Sequence, residues 1–343
     1  MTRSVAPAEE APHRRTWMAW PTVPDIYVYD DRPARYFDQV QAAVGRLAAA
    51  IAEHEPVTLC ASTMHHAVAR QHCGAQVEIL PIPTDDMWAR DSGPVFLRGP
   101  GGEISAVNFN FNAWGGKEDL PTDAKLAGRI IQHLGIPEVA AQIVGEGGGI
   151  EYDGDGTLLL TESCWVNDNR NPDLSRDEIE AELKRVLGVE TVIWLKGVAG
   201  QEETDGHIDG YVRFIRPGLV LMSGADPDDP VWGGDTIWEE DYRDARERLR
   251  HARDAAGRRF EIVELPWASE ARSRDPRFFT SYANFYVGNG AVYSPHFGDD
   301  RADARAETTL AELFPDRKVV MLDVDRIYEN GGGIHCVTQQ EPA

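Results

Sequence analysis

Amphipathic helices recur along this chain with two or three short strands between them rather than one, and that uneven rhythm most constrains the fold. In RYFDQVQAAVGRLAAAIAEHE, Phe37, Val40, Val44, Leu47 and Ile51 fall at three- and four-residue steps, the spacing of one buried helix face. Ser175, with Glu178 three residues on, forms a capping box that opens a second helix, SRDEIEAELKRVL. Further helices are expected at 122–134, 236–256 and 300–313. Short strands are expected at 56–61, 76–82, 157–163, 191–195, 218–223 and 318–322. Such alternation means an α/β protein. A doubly wound sheet wants one strand per helix, so a ring of repeated mixed β/α units fits the order better, although no sequence period marks the repeat. Asp153-Gly154-Asp155-Gly156 reads as a hairpin turn, because the further ligands of a calcium loop are missing.

At 343 residues the chain suits one large barrel-like or propeller-like α/β domain. It is read as a single catalytic domain over 1–343, with 1–12 as a flexible N-terminal tail. A formal net charge of −23 would repel nucleic acid and an anionic membrane surface. It suits solubility or a cationic partner. Cys60, Cys73, Cys164 and Cys336 show no paired spacing, which argues against a disulfide scaffold or zinc ribbon. The opening MTRSVAPAEEAPHRRTW lacks an apolar signal core, and no run approaches the roughly 18 apolar residues of a membrane span. A cytoplasmic protein with reduced thiols is expected, and a homo-oligomer stays open.

Four stretches set reactive side chains beside chain breaks. In DDMWARDSGPVFL, Asp85, Asp86, Arg90 and Asp91 crowd around Trp88, which composition alone would make a solvated acidic turn. GEGGGIEYDG has neither phosphate-loop pattern, so its glycines are read as allowing a close backbone approach with Glu146 facing it. In EETDGHIDGYVRF, a strand over 207–214 would turn His207 and Asp209 to one face. That pair reads as a general base with its orienter, as half a metal site, or as an exposed polar strand face. The absence of HxxxH, HExxH and a second HxD argues against metal.

The last stretch is GGGIHC. Adjacent residues of an extended chain face opposite ways, so His335 is a poor base for Cys336, and distant His207 is the better partner. A lone cysteine is commonly a small buried hydrophobe, the reading adopted for Cys60, Cys73 and Cys164. The three glycines before Cys336 instead suggest tight packing or close substrate approach. Carboxylates such as Asp91, Glu146 and Asp209 would raise a neighbouring thiol's pKa. That makes sense if they hold a cationic substrate, and a guanidinium matches carboxylates best through its planar N–H fork. The bound charge would also favour the thiolate when it is needed.

On these residues the chain resembles the agmatine deiminase family, the bacterial peptidylarginine deiminase-like branch of the guanidine-modifying superfamily. The likeness runs from about Pro7 to Pro342 through PAEEAPHRRTWMAWP, WARDSGP, FNAWGGK, EGGGIEYDGDGTLLLTESC, NDNRNP, TDGHIDG, SYANFYVGN and GGGIHCVTQQ. It implies a five-bladed, pseudo-symmetric α/β-propeller with a central active site and neither metal nor organic cofactor. It implies deimination of a small cationic guanidine, agmatine foremost, giving a ureido group and ammonia. By motif, Cys336 would be the nucleophile and His207 the general acid, then base. Asp91 and Asp209 would grip the guanidinium, Glu146 would sit near the reacting His, and Trp88 and Gly333 would border the substrate. The family commonly has Asn where this chain has Asp205, Gly210 and Gly333, which bears on the substrate tail accepted. Another small guanidine, an amidinotransferase with the same set, and a non-catalytic binding protein stay open. A manganese ureohydrolase would need clustered metal ligands that the sequence lacks.

Overall fold

A computed structural model describes residues 4–28, 32, 35–224 and 236–343. Its strands form five small sheets, four of them built on one plan. Two strands run antiparallel, a helix follows, and a third strand returns parallel to the second. The strand triplets are Val95–Arg98, Ile104–Asn108 and Glu138–Ala140; Ile150–Tyr152, Thr157–Thr161 and Thr191–Leu195; Val212–Arg216, Leu219–Gly224 and Glu261–Pro266; and Tyr286–Val287, Ala291–Pro295 and Lys318–Leu322. Helices Leu126–Leu134, Arg176–Leu187, Ile237–His251 and Asp300–Leu313 make the crossovers.

The fifth sheet repeats the plan from both ends of the chain. Gln339–Pro342 pairs antiparallel with His13–Ala19, helix Tyr36–Ile51 crosses over, and Val57–Cys60 returns parallel. A second helix, His66–Cys73, adds an outer strand, Glu78–Leu80. Each expected helix is therefore present, and the uneven rhythm is a ββαβ unit used five times.

Local chemistry explains the elements. Ser175 and Glu178 bond reciprocally at the helix start, and Gly188 (φ +73°) takes the left-handed conformation that ends the same helix. The central strand Leu219–Gly224 is buried at every position, as a strand covered on both faces must be. Asp153 Oδ1 accepts the N–H groups of Asp155 and Thr157, closing the expected hairpin turn. Apolar side chains from neighbouring units merge: Leu159 and Leu195 of one pack with Val212, Val220 and Leu249 of the next.

The last strand of each unit leads to the first strand of the next. Five connections, 81–94, 141–149, 196–211, 267–285 and 323–338, therefore lie between the sheets. Two buried arginines bridge three of them and the N-terminal segment. Arg213 contacts Glu151 Oε1 (2.5 Å), Glu9 Oε1 (3.0 Å) and the carbonyls of Ala283 (3.1 Å) and Phe285 (2.6 Å). Arg90 reaches Gln340 Oε1 (2.7 Å), Glu9 Oε2 (3.3 Å) and the His335 carbonyl (3.3 Å).

These contacts correct the expectation of a flexible tail over 1–12. Val5 and Arg98 exchange backbone hydrogen bonds, Ala6 N–H donates to the Leu187 carbonyl, and Glu9 is held by both arginines. A buried carboxylate with two cationic partners anchors its segment. Residues 1–3 lie outside the described residues.

Replacing Arg213 with Met should strand Glu9 and Glu151 without their shared counter-charge. The expected cost is about 3–5 kcal/mol, read as a clear drop in melting temperature. An unchanged melting temperature would mean that the guanidinium does not organise this centre.

Candidate active site

Cys336 lies in the turn 334–337, just after Gly331–Gly333, in the connection from strand Lys318–Leu322 to the closing strand Gln339–Pro342. Its Sγ accepts from Asn284 Nδ2 (3.2 Å) and lies 3.6 Å from Asp209 Oδ2. Its N–H and that of His335 both point at Asn284 Oδ1. The glycines earn their place here through close approach. A Cβ at Gly332 would meet the Trp88 ring and sit 3.3 Å from the thiol, and one at Gly333 would sit 2.5 Å from Asn284 Oδ1 and the Tyr328 ring. Burial, then the charges of Asp209 and Asp91, push the Cys336 thiol well above the ordinary cysteine range.

His207 stands opposite, entering a single 3-10 turn, Ile208–Gly210. This corrects the expected strand over 207–214: the strand begins at Val212, and Gly206 (φ +90°) turns the chain just before His207. A helical turn, not strand alternation, brings His207 and Asp209 together. His207 Nε2 lies 3.3 Å from Glu146 Oε2, and Nδ1 lies 3.7 Å from Asp91 Oδ1. Burial alone would depress its pKa. The charge of Asp91 and the hydrogen bonds with Cys164 and Glu146 outweigh that and hold it well above the ordinary histidine range.

Glu146 is fully buried, and Arg170 Nε sits 2.9 and 3.1 Å from its two oxygens. Burial would raise its pKa, but His207 and Arg170 bring it below the usual value. Arg170 continues to Asp205 Oδ2 (2.7 Å), where Lys117 Nζ also arrives at 2.9 Å. Opposing its burial, these donors hold the Asp205 carboxyl at about 2. Among the described residues, Glu146, Cys164 and His207 form the one group of ligand atoms close enough to share a metal ion. Arg170 already occupies both Glu146 oxygens there, so a cation would displace a guanidinium.

Asp91 lies in the short helix Ala89–Ser92 and accepts from Gly148 N–H (3.0 Å) and Trp114 Nε1 (3.0 Å). The indole is delivered by a strained turn: Asn110 (φ +57°), Ala113 (φ +57°) and Trp114 (φ +55°) are all left-handed without being glycine. Burial, with Asp209 and Glu146 nearby, pushes Asp91 up despite His207. Asp209 shifts the other way, because its bond from His335 outweighs burial. Gly148 marks the convergence. A Cβ there would lie 2.6 Å from His207 Nδ1, 2.8 Å from Asp91 Oδ1 and 3.2 Å from Asp209 Oδ2.

The residues singled out in the sequence thus meet at one centre: Cys336, His207, Asp209, Asp91 and Glu146, with Trp88 and Gly333 against the Cys336 turn. The acidic turn is not solvated. Asp85 and Asp86 are buried, Asp86 accepts from the Tyr27 hydroxyl, and burial raises Asp86 to about 6. Sequence reasoning assigned nothing to Asn284, Trp114 and Arg170, although each lies inside a quoted motif. It also set His335 aside and missed Glu9. An asparagine within the aromatic run SYANFYV is a signal that could have found Asn284.

The chain matches the family model of the Porphyromonas-type peptidyl-arginine deiminase over residues 5–342. It is 40% identical over 363 residues to an agmatine deiminase of Stutzerimonas stutzeri, covering 98% of this chain and 95% of the relative. To one of Pseudomonas aeruginosa it is 38% identical over 365 residues, with coverage of 98% and 95%. The fold matches that of the agmatine deiminase of Enterococcus faecalis with a TM-score of 0.88 and 31% identity, over 99% of this chain and 96% of that one. The five units form the five-bladed propeller-like fold of these relatives, as the resemblance implied. A match that spans all five units and every connection reaching their centre leaves one conclusion: the chain belongs to the Porphyromonas-type peptidyl-arginine deiminase family.

Proposed function

We propose that this protein hydrolyses the guanidinium group of agmatine, releasing ammonia and leaving N-carbamoylputrescine. The observation that carries this reading is the convergence of Asp91, Asp209 and His207 on Gly148, with Asp209 in turn beside the Cys336 thiol. Two buried carboxylates beside a neutral thiol match a planar cation whose carbon must be attacked by sulfur. The agmatine deiminases among its relatives support agmatine as the guanidine. Four free cysteines fit a reducing compartment, and on that ground we place the enzyme in the cytoplasm. Site residues drawn from all five connections support one catalytic domain over the whole chain.

The chemistry balances with these groups and water. Asp91 and Asp209 hold the guanidinium N–H groups and orient its carbon toward sulfur. The cation offsets the two charges that raise the thiol's pKa, the thiol loses its proton to solvent, and the thiolate adds to the carbon. Protonated His207 gives its proton to the departing nitrogen, which leaves as ammonia, and a thiouronium stays on Cys336. Neutral His207 then takes a proton from water as the oxygen attacks the same carbon. The C–S bond breaks, the hydroxyl proton of the intermediate returns to the sulfur, and the neutral urea leaves. Proton transfer of this kind contributes roughly 10²–10⁴ in rate. Glu146, fixed by Arg170, keeps the imidazole aimed and stabilises its charged form.

The test is ammonia and ureido-product release from agmatine, arginine, guanidinobutyrate and an arginyl peptide, with and without an amine acceptor. Agmatine alone should release both products, and Cys336→Ala should release neither while keeping its melting temperature. Release that requires an amine would make the protein an amidinotransferase. Release only from another guanidine would move the substrate.

Asp91→Asn should raise KM for agmatine at least about 30-fold, the equivalent of roughly 2 kcal/mol for one lost partner of a buried charge pair. Unchanged kinetics would remove Asp91 from substrate capture. The raised thiol gives a further expectation. Alkylation of Cys336 by iodoacetamide in the free protein should be slow at neutral pH and climb steadily into the alkaline range, because the thiolate appears only above its elevated pKa. A rate already level at neutral pH would mean a preformed thiolate and defeat activation by the substrate.

A further inference from the structure

The imidazole of His335 lies buried between two carboxylates from opposite ends of the chain. Its Nδ1 is 2.6 Å from Asp209 Oδ2, and its Nε2 is 2.8 Å from Glu9 Oε2. Each ring nitrogen is thus placed where an N–H would donate to a carboxylate oxygen. Glu9 has no freedom to move away. Its Oε1 takes Arg213 Nη2 (3.0 Å) and Val287 N–H (2.9 Å), and its Oε2 also faces Arg90 Nη2 (3.3 Å). The backbone of His335 is equally fixed, with its N–H on Asn284 Oδ1 (3.0 Å) and its carbonyl on Arg90 Nε (3.3 Å).

We infer that Glu9 and His335 are positioning residues that aim Asp209 for substrate capture. The inference rests on the guanidine reading above. Asp209 Oδ2 also lies 3.6 Å from the Cys336 sulfur, where it competes for the S–H, the unreactive form. The His335 bond takes that oxygen at a shorter distance and leaves the remaining lone pairs for guanidinium N–H groups. Glu9 fixes the ring from behind, so the N-terminal segment reaches the substrate through two side chains without touching it. His335 follows Ile334 and precedes the nucleophile, and the placement of Asp209 is therefore coupled to the turn that places the thiol.

The experiment compares His335→Leu, His335→Asn and Glu9→Gln with the native enzyme. It measures KM and kcat for agmatine, and agmatine affinity by calorimetry in a Cys336→Ser background. His335→Leu should weaken KM and affinity about 10–100-fold, the scale of a lost hydrogen bond to a charged group, with a smaller change in kcat. His335→Asn keeps an amide N–H near the Nδ1 position and should recover most of that loss. Glu9→Gln should move KM the same way by a smaller factor. Unchanged affinity in His335→Leu, or equal losses in the Leu and Asn variants, would overturn the inference and leave a packing role. Should His335→Leu fail to fold, Glu9→Gln decides, and a native KM there overturns the relay. A native enzyme inactive on agmatine would instead defeat the substrate assignment, an outcome visible before any variant is compared.

Discussion

Everything at this centre depends on one pairing, that of Gln339–Pro342 with His13–Ala19. It joins residues more than three hundred positions apart in a parallel and antiparallel sheet that neither end can make alone. Without it, two strand edges lie open, and open edges recruit wrong partners. The register Trp17↔Gln339 and Thr16↔Gln340 fixes more than the sheet. Three residues before Gln339 is Cys336, and four before His13 is Glu9. Closing the ring and assembling the site are the same event. Trp17 Nε1 on Glu341 Oε2 (2.9 Å) and Ala343 N–H on the Pro12 carbonyl (2.8 Å) lock the seam.

Around that seam the acids are not equivalent. Glu146 is matched by Arg170 and faces His207, and Asp209 is matched by His335. Asp91 has mainly neutral donors, Gly148 N–H and the Trp114 indole, with His207 at 3.7 Å. It is the one of the three whose pKa is pushed up, chiefly by burial. A cationic substrate therefore relieves Asp91 most. The protein accepts a cost to keep the carboxylate there: three left-handed non-glycine residues at Asn110, Ala113 and Trp114 each carry about 1–3 kcal/mol of strain. Strain of that size persists only where the surroundings over-determine it, and the indole pinned on Asp91 is what it secures.

The sequence was most legible where structure is local. Helix Tyr36–Ile51 follows from its apolar stripe, and Arg176–Leu187 from its cap, since both signals lie within one element. Asp299, which caps Asp300–Leu313, acts just as locally. Strands of two or three residues, such as Tyr286–Val287 and Ile150–Tyr152, carry too few residues for a period and went unread. The closing strand could not be read at all, because QQEP is polar and pairs only through distant His13–Ala19. In the site, Cys336, His207 and the acids declared themselves by residue type. His335 was set aside by a sound rule about extended chain that does not apply here, because 331–338 is a turn. Glu9 was illegible for another reason: ten residues of mixed polarity at a terminus look like a tail until Arg90 and Arg213 are known to reach them.

The raised thiol then makes physical sense as selectivity. A cysteine with a depressed pKa is a nucleophile toward any electrophile that reaches it. Cys336 sits among Asp209 and Asp91, whose charges suppress the thiolate, and only a ligand that cancels those charges releases it. A neutral urea product cancels neither, so the environment that would admit the guanidinium would not favour its product. On the proposed reading the same two carboxylates would bind the substrate and time the nucleophile, and the tether from Glu9 through His335 would keep one of them aimed while it does so.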